Sequence, residues 1–141
     1  MPDVATQNPQ SQTHRDKPTR EQQRAAAAYK RVKTRDKKYG RQCLRLPALI
    51  HQCGLCQALA FLEAKELHEV LDDLAWVIWA SDDEENRPKG PALADKARGT
   101  GMAEYQWLSR EALKSAQWLK RYSEAVLKVK PGEDTAGESQ S

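Results

Sequence analysis

Cys53-Gly54-Leu55-Cys56 is the stretch whose residue types come nearest to reactive chemistry. Two thiols at C-x-x-C spacing can, as thiolates, hold a soft metal or exchange a disulfide. His51, Cys43 and His68 are the side chains available to complete a tetrahedral zinc set. A second C-x-x-C or an H-x-x-x-H is absent, and no strand–helix context for a thioredoxin-like site precedes the motif. It lies in an apolar run where small Cys side chains also fill a core. The motif therefore reads as packing, and no metal or other cofactor is expected.

Carboxylates offer a second possibility. Glu63, Glu66, Glu69, Asp72 and Asp73 resemble the spaced acids with which helical nucleotide pyrophosphohydrolases bind magnesium. No matching acid pair stands at helical spacing near the C-terminus, so a solvated face or a protein contact is the simpler reading. G-x-x-x-x-G-K-[ST], G-x-S-x-G and G-x-G-x-x-G are all missing. The chain is not expected to be an enzyme.

Aromatic and basic residues offer a third. Four Trp and four Tyr in 141 residues can stack on bases. Trp76, Trp79 and Trp118 fall on apolar helix faces and read as core or interface anchors, whereas Trp107 and Tyr39 stand beside basic residues and are the better stacking candidates. Lys and Arg contacts to phosphate need only a positive surface.

The charges that would make such a surface are segregated. Residues 14–45 carry 12 Lys/Arg against 3 Asp/Glu, residues 63–85 carry 9 acids against Lys65, and residues 87–130 carry 10 bases against 4 acids. The net charge of +3 hides these blocks. One face for a polyanion and another for a basic neighbour is one reading, and separately solvated helix faces is the other.

The elements that position these residues are helical. Thr19-Arg20-Glu21-Gln22 after Pro18 is a capping box, Ala25 to Ala28 propagate a helix, and Gly40 is its natural stop, predicting a basic helix from Thr19 to Tyr39. Its apolar seam is Ala25, Ala28, Tyr29 and Val32. Two short buried helices follow, Leu44 to Ile50 and Leu55 to Ala64, meeting at Gly54. Leu67, Val70, Leu71, Leu74, Val77 and Ile78 mark one face of an acidic helix. Residues 81–101 read as a long loop with a short helix near Ala92 to Ala97. Leu108, Ala112, Ala116, Leu119 and Val126 give a last helix within 102–130, with Ser109 as a candidate cap.

The fold class expected is all-α, an irregular bundle of five or six helices without a sheet. Residues 19–130 read as a single helical domain, with 1–18 and 131–141 as disordered tails. The longest apolar run, Leu74 to Ala80, cannot span a bilayer and no leader-like h-region is present, so a cytoplasmic location without membrane association is expected.

Lys38-Tyr39, Leu46-Pro47-Ala48-Leu49-Ile50, Gly54-Leu55, Gln57 through Leu62, and Leu113 through Trp118-Leu119-Lys120-Arg121-Tyr122 share an order and rhythm with a known family. The chain resembles the small helical subunit of the type III-B CRISPR ribonucleoprotein, the Cmr complex, over about residues 20–64 and 104–130. The resemblance implies a non-catalytic, RNA-binding protein of antiviral defence. It would stack head to tail with copies of itself, contact the backbone and large subunits, and line the groove holding guide CRISPR RNA and target RNA. The basic residues beside the shared blocks are Arg24, Lys38, Arg41, Arg45, Lys120 and Arg121, which are the implied phosphate contacts. Arg31, Lys33 and Lys37 match no block and rank below them. Where the family carries an amide or small residue, this chain has Cys53, which lowers the metal reading further. The rival readings are a stand-alone helical DNA-binding regulator, disfavoured because the helices flanking Gly54 are apolar on both sides of the turn, and the helical hydrolase above.

Overall fold

The structure, a computed structural model, describes residues 16–132; the two tails otherwise lie outside the described residues. Those residues form six α-helices and one 3₁₀ turn, with no strand among them: α1 (Arg20–Val32), α2 (Lys37–Cys53), α3 (Leu55–Ala64), α4 (His68–Ile78), the turn Glu84–Asn86, α5 (Gly90–Gly99) and α6 (Met102–Val126). The all-helical expectation is met.

α1 opens on the capping box. Thr19 accepts from the Gln22 N–H at 3.1 Å while Gln22 Oε1 accepts from the Thr19 N–H at 2.8 Å. The helix ends earlier than Gly40 suggests. Asp36 is an N-cap whose carboxylate accepts from the Tyr39 N–H, so a new helix begins at Lys37 and the expected Thr19–Tyr39 helix is two helices separated by residues 33–36. Gly40 lies inside α2, where a Cβ would meet Leu127 and Val129 side-chain atoms at 3.0 to 3.3 Å. It is a close-packing glycine rather than a stop. α2 also runs through Pro47. An interior proline ordinarily costs about 3 kcal/mol, which the packing of α2 along α6 offsets.

Gly54 joins α2 to α3 as expected, with φ of 83°. That left-handed conformation suits glycine and lets two helices abut without a loop. The expected loop at 81–101 is more ordered. Pro91 stands at the first turn of α5, where its missing N–H is harmless, and the Gly90 N–H donates to Asp72 Oδ1 at 2.9 Å. α5 therefore spans Gly90 to Gly99 rather than Ala92 to Ala97, and α6 is continuous through Ser109.

The core draws on all six helices: Ala28 and Val32, Tyr39, Cys43 and Leu46, Leu55 and Leu59, Leu74 and Val77, Leu93, and Leu108, Ala112, Ala116 and Leu119 are all buried. The apolar period of α4 holds. In α1 the seam rotates by about one position, so that Ala27, Ala28 and Val32 go in and Tyr29 is 46% exposed.

Candidate nucleic-acid interface

On α2, positions 38, 41 and 45 recur at i, i+3 and i+7 and share one side, opposite Tyr39, Cys43, Leu46 and Ile50 in the core. Lys38 and Arg45 are exposed and Arg41 is half-buried, its Nε enclosed with no hydrogen-bond partner among the described residues. α2 and α6 run antiparallel: Gly40 near the start of α2 lies against Leu127 just past the end of α6, and the N–H of Cys56, at the start of α3 just beyond α2, donates to Tyr105 Oη near the start of α6 at 3.1 Å. Lys120 and Arg121 therefore come beside the middle of α2. With Glu21, Pro47, Gln117 and Trp118 they line an open groove of about 510 Å³. Arg121 is largely exposed and lies 3.7 Å from Glu124.

Arg24 is placed otherwise. It is 7% exposed, and its Nη2 donates to Glu111 Oε1 at 2.5 Å, a carboxylate that Arg20 also reaches at 2.7 Å. Burial pushes the Glu111 carboxyl up, but the hydrogen bonds from Arg24 and Arg20 outweigh it and hold the group below the usual carboxylate range. Arg31 near the end of α1 and Arg35 in the connection to α2 share a buried carboxylate too. Asp73, with no exposed surface, accepts from Arg31 at 2.8 Å, twice from Arg35 at 2.9 Å, and from Tyr39 Oη at 2.7 Å. Hydrogen bonds to Asp73 raise the Arg35 guanidinium above its ordinary value, and burial raises the Tyr39 phenol. Lys30 pairs with Glu84 at 2.8 Å, and the Arg31 and Arg87 guanidinium carbons each lie 4.0 Å from the Trp76 ring centre.

Lys30, Arg31 and Arg35 of the basic block are thus partnered with Glu84, Asp73 and Glu69 of the acidic block inside one chain. Tyr39 is turned inward and offers no stacking face, and Trp107 is half-buried with Arg20 at 5.9 Å from its ring centre. Reading the sequence by motif passes over Arg110 and Lys114. Both are exposed, and with Arg121 they fall at i, i+4 and i+11 on the side of α6 away from Leu108, Ala112 and Leu119. That periodicity was available in the sequence.

The cysteines are spread through the structure. Cys43 is buried, which pushes its thiol up to about 12; Cys56 Sγ donates to the Ala97 carbonyl at 3.4 Å; Cys53 is exposed. Among the described residues, no group of three or more His, Cys, Asp or Glu is arranged to hold a metal ion. Of the acids that resembled a magnesium set, Asp73 and Glu69 pair with Arg35 and Asp72 fixes Gly90.

A small helical chain of this kind is matched by proteins that are described as subunits of a larger system. Residues 20–126 match the family described as CRISPR-associated protein (Cas_Cmr5). The CRISPR system Cmr subunit Cmr5 of Thermus thermophilus is 39% identical over 117 residues, covering 77% of this chain and 96% of that protein. The crystal structure of a CRISPR-associated Cmr5 family protein from the same organism superposes with a TM-score of 0.68 at 32% identity, covering 78% of this chain and 99% of that one. The chain belongs to the Cmr5 family, the small subunits of the type III-B CRISPR systems.

Proposed function

We propose that this chain is a non-catalytic small subunit of a Cmr ribonucleoprotein in the cytoplasm. In this reading copies of it stack head to tail beside the backbone subunits, contact the large subunit, and line the groove that holds guide and target RNA. The observation that carries the reading is two outward basic sets, Lys38, Arg41 and Arg45 along one side of α2 and Lys120 with Arg121 on α6, among which Lys38, Arg45 and Arg121 are exposed. Phosphate contacts from such a surface position a polyanion without reading its sequence. Arg24 contributes by holding α1 on α6 through Glu111, so the phosphate contacts fall to the other five.

The acidic helix α4 would face the basic edge of the next copy; since Asp72 and Asp73 are taken up within the chain, that edge falls to the exposed Glu69 together with Asp82, Asp83 and Glu85 just beyond the helix. A heterologous contact of this kind propagates an open stack. The test is a reconstituted Cmr complex carrying Lys120→Ala with Arg121→Ala. Target-RNA affinity should fall by the same factor for unrelated target sequences; a loss confined to particular sequences would count against backbone contact. Charge reversal at Glu69, Asp82, Asp83 and Glu85 should lower the number of copies per complex, and an unchanged count removes the acidic contact.

A further inference from the structure

The groove beside Lys120 and Arg121 has a wall that phosphate contact does not require. Trp118 lies stacked on Tyr122, with ring centres 5.7 Å and planes 25° apart, and Tyr122 meets Tyr29 edge-on at 5.5 Å and 68°. Lys33 Nζ sits 5.5 Å from the Tyr29 ring centre. An aromatic run across α1 and α6 is therefore bracketed by cations, Lys33 at one end and Lys120 with Arg121 at the other. A core aromatic cluster would be buried, yet Tyr29 is 46% exposed and Trp118 borders open space.

The lining is suited to one kind of guest. The volume of about 510 Å³ lies within the roughly 300–1,000 Å³ of small-ligand clefts. Four of the six lining residues, Glu21, Gln117, Lys120 and Arg121, are polar or charged, which disfavours an apolar peptide face. Trp118 supplies a π surface, Gln117 a donor and an acceptor, Glu21 an acceptor, and the two cations sites for phosphate. An aromatic platform beside a positive track is how single-stranded nucleic acid is held without sequence preference.

We propose that the Trp118 groove seats one unpaired nucleotide of single-stranded RNA. The base stacks on Trp118, Gln117 and Glu21 meet its polar edge, and Lys120 and Arg121 hold the flanking phosphates. This rests on the RNA-binding reading above, and the two can fail separately. In that arrangement α2 and α6 are sensitive to whether the RNA is paired, because a base held in a duplex has no exposed face to offer.

The test uses the purified full chain with hexauridylate and with an RNA duplex, comparing the wild type with Trp118→Ala, Trp118→Phe and Lys120→Ala/Arg121→Ala. Trp118→Ala should bind hexauridylate roughly five- to a hundred-fold more weakly while keeping its salt dependence and its duplex affinity. Trp118→Phe, which keeps a ring, should recover most of the loss, and Lys120→Ala/Arg121→Ala should weaken both ligands and flatten the salt dependence. A misfolded variant would lose duplex as well, so the single-strand-only loss is its own folding control. Unchanged hexauridylate binding by Trp118→Ala overturns the nucleotide seat and leaves the phosphate surface standing. Absence of binding by the wild-type chain to either RNA overturns the nucleotide seat and leaves the proposed function to the test in the reconstituted complex.

Discussion

The contact of α1 and the segment that follows it with α4, and the outward sides of α2 and α6, are both rich in Arg and Lys, and they use the charge in opposite ways. At the first, Arg31 and Arg35 converge on Asp73, which is fully buried, and Tyr39 completes the set. At the second, Lys38, Arg110, Lys114 and Arg121 reach solvent. A cation is available to a ligand only where the fold has not committed it to a buried carboxylate, so the count of charges in a block says little until their partners are known. The first surface is an element of stability, and the second is the candidate for binding. Substitutions should separate them cleanly.

The largest effect is expected at Asp73. Asp73→Ala leaves two guanidinium groups and a phenol without their shared acceptor, and breaking a partner out of such a set costs about 3–5 kcal/mol. Chemical denaturation should show the loss, while RNA affinity per mole of folded protein stays the same. If RNA affinity fell and stability did not, the division between the two surfaces would be broken.

Glu111 comes next. Glu111→Gln removes the carboxylate shared by Arg20 and Arg24, and a cost of about 1–3 kcal/mol is expected near neutral pH. Because the folded carboxyl is held below its ordinary value, its contribution is full above the unfolded pKa of about 4.3 and is lost as the pH falls through the lowered folded value. Wild-type stability should therefore drop in acid more steeply than that of Glu111→Gln. Parallel pH profiles would show that α1 is held on α6 by packing alone.

How much of this division was legible in the sequence differs between its halves. The α3 boundaries, the Gly54 joint and the α4 face follow from local pattern, because apolar period and a left-handed glycine act within one or two turns. The break at Asp36 was also written locally, as an N-cap, but Gly40 looked the stronger signal because glycine as helix stop and glycine as close-packing residue are indistinguishable without Leu127 and Val129 beside it. Pairings such as Arg24 with Glu111, or Arg35 with Asp73, join residues far apart in sequence and follow only from how the helices pack. The family blocks led to Lys120 and Arg121, and the structure brings these to the groove they share with Pro47 of an earlier block.

The binding surface predicts smaller effects on the fold and graded ones on affinity. Lys120→Ala with Arg121→Ala should leave stability within about 0.5 kcal/mol, as for surface changes away from special features. The slope of log affinity against log salt should shrink by about 0.9 for each duplex phosphate that is no longer neutralised. A change in stability comparable to that of Glu111→Gln would mean that the groove wall is structural.

Lys38→Ala is the smallest change and the sharpest probe of where the surface ends. Lys38 is exposed on the side of α2 opposite the core, with its neighbours Asp36 and Tyr39 occupied in capping and in the Asp73 set. Removing its side chain should not disturb either, so stability is expected to stay within about 0.5 kcal/mol. If the phosphate track extends from the groove at Lys120 along α2, the salt slope should fall by the share of a single phosphate, about 0.7 to 0.9. An unchanged slope would confine the track to the middle of α2 and to α6, leaving Lys38 as a solvated charge.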